Sequence, residues 1–150
     1  MRTTGIRRRA AGRGLIAVIA VLSLVACGGS PTAPSPTVLS GRWTGALESQ
    51  PCAGDWSAIT LELTQSGSTL AGQLLTNDGM TFPATGTVVR ERATATIIVE
   101  LPPGTGECGA ITFAVDRFDL DALGNVAAFS GRATGRCCGT IDEAFRFVRA

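Results

Sequence analysis

Histidine, lysine and tyrosine are all missing from these 150 residues. Their absence removes the side chains most often used as general bases and nucleophile activators. No Ser-His-Asp or Ser-Lys arrangement can be built from what remains. The chain therefore reads as a non-enzymatic protein with no cofactor. Zinc is disfavoured too, since the five cysteines come without histidine and without a C-x-x-C spacing. No segment carries a sustained helical period with caps, which excludes a helical bundle.

Acidic residues are absent before Glu48, whereas Arg2, Arg7, Arg8, Arg9 and Arg13 make the start cationic. The apolar run "LIAVIAVLSLVA", Leu15 to Ala26, is short for a spanning helix. It fits the core of a secretory signal peptide over residues 1–26. Its end, "LVAC" from Leu24 to Cys27, resembles the lipobox of bacterial lipoproteins. That resemblance implies cleavage before Cys27 and acylation of its thiol. It places the protein on the cell membrane or outer membrane, facing periplasm or exterior.

Cleavage removes five arginines and no acids, leaving eight arginines against twelve carboxylates, a net charge of −4. An anionic chain without a basic stripe lacks the footprint that neutralises phosphates, so nucleic acid is not an expected partner. The membrane is engaged through acyl chains instead. Prolines 31, 34 and 36 disfavour helix after Cys27, so residues 27–38 read as an extended tether. Residues 39–150 suffice for one core.

That body reads as strands. "ITLELTQ", "TATIIVEL" and "AITFAVD" alternate with a period of two and one apolar face. Turn signals at Ser66-Gly67, Asn77-Asp78-Gly79, Pro102-Pro103-Gly104, Gly124-Asn125 and Gly139 separate the runs. Eight strands are predicted, over 40–48, 57–65, 69–76, 81–90, 93–101, 109–121, 126–135 and 140–149. An odd step from Val115 to Phe118 predicts a bulge in the sixth. The pattern implies an up-and-down antiparallel eight-stranded barrel, with a β-sandwich as the alternative. Trp43, Leu61, Leu70, Phe82, Ile97, Phe113, Phe129, Phe145 and Phe147 are among the expected inward residues. Glycines 41, 45, 72, 86 and 131 are expected on inward faces, creating room.

"GRW" (Gly41–Trp43) opens the body and "FRFVRA" closes it. This resembles the calycins, the group that contains lipocalins, avidins and fatty-acid-binding proteins. They begin with Gly-x-Trp and end in a strand whose arginine packs across that tryptophan. Parity along Ile141, Phe145 and Phe147 selects Arg149 for this role, with Arg146 as the alternative. The resemblance implies a barrel binding a small apolar ligand; the avidin residues that hold biotin are not recognisable here.

With Cys27 acylated, Cys52, Cys108, Cys137 and Cys138 remain, an even number in an oxidising compartment. In an eight-strand meander the first, fifth and seventh connections share one end, so all four fall on one rim. Adjacent residues in extended chain point to opposite sides, so Cys137 and Cys138 can serve two partners, Cys52 and Cys108. Which bonds to which stays open. Asp116, Asp119 and Asp121 suggest calcium, but Leu123 stands where an EF-hand needs an oxygen ligand and Ser130 where it needs a glutamate. They read as a solvated hairpin, and Asp142-Glu143 as a solvated loop end.

Two functions fit this reading. The barrel binds a small apolar molecule, or it is filled and binds an envelope protein through its loops, for example as an inhibitor of an envelope hydrolase.

Overall fold

A computed structural model describes residues 38–51, 54–101, 109–137 and 139–150. The segments read above as signal peptide and tether, up to residue 37, with Cys27, Cys52, Cys108 and Cys138, lie outside the described residues. Eight strands follow one another: β1 (Gly41–Gly45), β2 (Ile59–Ser66), β3 (Thr69–Leu75), β4 (Thr81–Val89), β5 (Thr94–Glu100), β6 (Ala110–Leu120), β7 (Val126–Arg136) and β8 (Thr140–Arg149). Each pairs antiparallel with the next, and β8 returns to β1, closing the barrel. Closure excludes the sandwich. A short 3-10 turn, Arg90–Arg92, joins β4 to β5.

The strands form where period-two alternation puts one apolar face inward. In β5 the buried residues are Ala95, Ile97 and Val99, with Thr96 and Ile98 outside. β1 is shorter than the sequence predicts. After Gly45 the chain leaves the sheet, and the Leu47 N–H bonds to the Trp56 carbonyl at 3.0 Å. That bond folds the first connection back on itself. The register of β6 on β7 shifts between Val115 and Arg117 and again between Asp119 and Leu120. The first shift is the expected bulge, and it lets Phe118 turn back towards the core.

Five rings occupy one sector of the interior. Trp43 meets Phe129 edge-on at 4.9 Å, and Phe113 meets Phe145 edge-on at 5.1 Å. Phe129 and Phe147 lie 5.3 Å apart. Ring pairs at these separations add stabilisation beyond the area they bury. Leu61, Leu70, Leu74, Ile97, Val99, Ile111, Phe113, Phe129 and Phe147 have no exposed surface, so no water-sized space touches them. These side chains are packed as in a close-packed core.

The inward glycines do not create room. A Cβ on Gly72, Gly86 or Gly131 would lie 1.8, 2.2 or 1.9 Å from the carbonyl oxygen of Glu62, Thr96 or Ala114 on the adjoining strand. The neighbouring backbone already fills that space. Glycine there permits the close approach of strands that a tightly coiled barrel requires.

Candidate functional site

An antiparallel meander sends its connections alternately to two ends, and the two ends differ here. The β1–β2, β3–β4, β5–β6 and β7–β8 connections share one end, called the rim. The chain reaches Val38 at the other end, which also holds the β2–β3, β4–β5 and β6–β7 connections.

The rim is built around the connection from residue 46 to residue 58. The Glu143 carboxylate, on β8, accepts the Glu48 N–H at 2.8 Å and the Ser49 N–H at 3.0 Å. The Gln50 side-chain oxygen accepts the Trp56 N–H at 3.1 Å. Trp56 is buried and stacks on Phe82 of β4, with ring centroids 5.7 Å apart. Asp55 ties this connection to the next: its carboxylate accepts from Asn77 Nδ2 at 2.8 Å, and its carbonyl from the Asn77 N–H at 2.9 Å. Gly109 donates to the Arg136 carbonyl at 3.0 Å, joining the β5–β6 connection to β7. Cys137 is buried and disulfide-bonded; its partner lies outside the described residues.

Charge separates the ends. The rim half carries Glu48, Asp55, Asp78, Glu100, Asp142 and Glu143 against Arg132 and Arg136 among the described residues. Bonds from the Ser57 and then the Asn77 side chain hold the Asp55 carboxyl below its ordinary range. The Thr76 hydroxyl does the same for Asp78, and the Arg132 guanidinium for Asp142. These groups stay ionised at neutral pH, and none has the raised affinity for protons that a general acid needs.

At the opposite end the Arg149 guanidinium carbon lies 4.3 Å from the Trp43 ring centroid, and the two residues face each other across the β1–β8 seam. Arg149 Nε also donates to the Val126 carbonyl at 3.0 Å, and Nη1 to the Ser40 carbonyl at 3.3 Å. The Trp43 indole N–H bonds to the Leu39 carbonyl at 2.9 Å. Arg149, not Arg146, meets the tryptophan; Arg146 pairs with Asp119 on the outer wall at 2.6 Å.

One reading of the carboxylates needs correction. Glu143 is not a solvated loop end, because it caps two amides about ninety-five residues earlier in the chain. No local signal announces a partner that far away. The hairpin that carries Asp119 and Asp121 is exposed, as expected, and its carboxylates shape it. Asp119 bonds Arg117 and Arg146, while Asp121 accepts the Leu123 and Asn125 N–H groups and shapes the hairpin turn. Trp56 was not among the expected inward residues, since it lies outside any alternating run.

Compared with protein-family models, curated proteins and solved structures, the chain gives no match. The site is read from its own geometry.

Proposed function

We propose that the chain is a lipid-anchored envelope protein, calycin-like in architecture and non-enzymatic, which binds a protein partner through its rim. The observation that carries this reading is the occupied interior: Trp43, Phe113, Phe129 and Phe147, with Leu61, Leu70, Ile97 and Val99 around them, have no exposed surface. An eight-stranded barrel holds either its own side chains or one small ligand. With the first alternative in place, recognition falls to the outside.

The rim suits that role. The described residues of its longest connection are held by Glu143, Gln50, Trp56 and Asp55, which lowers the ordering to be paid on binding. Its excess of carboxylates favours a partner with a cationic face, such as a basic envelope hydrolase held as an inhibitor holds its target. Val38, the first described residue, lies at the end opposite the rim. Cys52 and Cys108, each bridged to one of Cys137 and Cys138, would stiffen it further. The Gly41-x-Trp43 start and its contact with Arg149 support the calycin-like reading.

Photocrosslinking in cells tests this function. A photoreactive residue at exposed Ala58 on the rim should form a discrete protein adduct that weakens with added salt. The same residue at Thr85 on the outer wall should not. Equal labelling at both positions, or none at the rim, would contradict the proposal.

A further inference from the structure

The end opposite the rim collects the exposed apolar surface. Among the described residues seven large apolar side chains are exposed, and Val38, Val89, Leu120, Leu123 and Val148 lie at or beside that end. Met80 is at the rim and Ile98 is on the wall. Leu123, 85% exposed, forms the tip of the β6–β7 hairpin, and Leu120, 62% exposed, stands at its base. Val38, Asp121, Leu123 and Arg149 are among the residues lining one groove of about 420 Å³. On the far side of the same end Val89 leads into the turn that carries exposed Arg90 and Arg92.

Isolated exposed apolar residues need no explanation, but their concentration at one pole does. The course of the chain indicates what covers them. Ten residues separate Cys27 from Val38, and a chain of that length reaches at most about 40 Å when fully extended. If Cys27 carries acyl chains, this pole is held close to the bilayer at a high effective concentration, where weak contacts suffice. Asp119 and Asp121 also stand on this hairpin, where Arg117 and Arg146 pair with Asp119. Apolar side chains with Arg90, Arg92 and Arg149 at the same end suit the boundary between acyl chains and headgroups. The more acidic rim would face away from such a surface.

From this we infer that the β6–β7 hairpin, with Leu123 at its tip and Leu120 at its base, rests in the headgroup region of the membrane that anchors the chain. The inference rests on acylation of Cys27. It fixes the orientation of the barrel, with the rim outward and the hairpin down, and makes the hairpin a second contact besides the lipid.

The test uses the full mature acylated protein in vesicles of phosphatidylethanolamine and phosphatidylglycerol with brominated acyl chains, which quench nearby indoles. Vesicle flotation is scored first. In Leu123→Trp the added fluorescence should shift to the blue and lose intensity in brominated vesicles. In Met80→Trp, at the rim, it should do neither. Adding Leu120→Asp to the Leu123→Trp protein should restore the lost intensity. Solvent-like, unquenched emission from Leu123→Trp in protein that floats would overturn the membrane contact and leave the anchor intact. Blue-shifted but unquenched emission would mean that protein covers the hairpin, and would also overturn it. Failure of the unsubstituted protein to float would refute the anchor and this inference together.

Discussion

Arg149 holds its guanidinium carbon 4.3 Å from the centre of the Trp43 ring, directly across the seam that closes the barrel. β1 and β8 are paired at Trp43↔Arg149 and Thr44↔Val148, and the Ala150 N–H donates to the Arg42 carbonyl at 3.0 Å. So short a ladder leaves much of the closure to side chains. Arg149 supplies it by bonding to carbonyls at Val126 and Ser40 while covering the indole.

Trp43→Ala should therefore destabilise the barrel by about 3–5 kcal/mol, as for other buried aromatics. Arg149→Ala should cost less, about 0.5–2 kcal/mol for the cation–π contact. Urea unfolding followed by circular dichroism measures both. A larger loss from Arg149→Ala than from Trp43→Ala would reverse the assigned roles.

Gly131→Ala should destabilise by at least the 1–3 kcal/mol or so typical of overpacking, because the added methyl meets the Ala114 carbonyl. Gly109→Ala, where nothing lies within 4 Å, serves as the control and should be close to neutral. Equal stability of the two variants would refute the account of the inward glycines.

Much of this fold was legible because the information is local. Alternation in β2, β5 and β6 and the turn residues between strands locate the elements, and an even strand count brings the two chain ends together. That an arginine meets Trp43 came from the calycin resemblance, and parity along β8 chose Arg149 over Arg146. The room assigned to Gly72, Gly86 and Gly131 was misjudged for a physical reason: sequence gives the direction of a missing side chain, but not the coil that brings the neighbouring strand into its place. Glu143 and Trp56 were illegible for another reason. Each acts in an irregular connection, where no period marks which residue turns inward or which carboxylate reaches a distant amide.

Glu143→Gln should leave the barrel folded but loosen the first connection. A neutral amide oxygen accepts more weakly than a carboxylate, so amide exchange at Glu48 and Ser49 should speed up while exchange in β5 stays unchanged. Unaltered exchange at those two amides would remove Glu143 from its place in the rim.

Acid should weaken the fold. Bonds from Arg146 lower the Asp119 pKa, Arg132 lowers that of Asp142, and Gln73 with Arg42 lowers that of Glu62. A carboxyl with a depressed native pKa binds fewer protons folded than unfolded. Its contribution is complete above the unfolded value, near 4 for such groups, and is lost as pH falls through the native value. The urea midpoint should hardly respond to these groups from about pH 7 to 5 and should decline below about 4. Asp119→Asn should make that decline shallower. A midpoint that rises in acid would contradict the ion-pair assignments.

The central claim is that the barrel is full and works from its rim, and native mass spectrometry of the acylated protein purified from its own envelope tests it most directly. The account predicts the mass of the acylated polypeptide alone, or of a complex with a second polypeptide that dissociates as salt is raised. A small apolar molecule retained stoichiometrically inside the protein would contradict it.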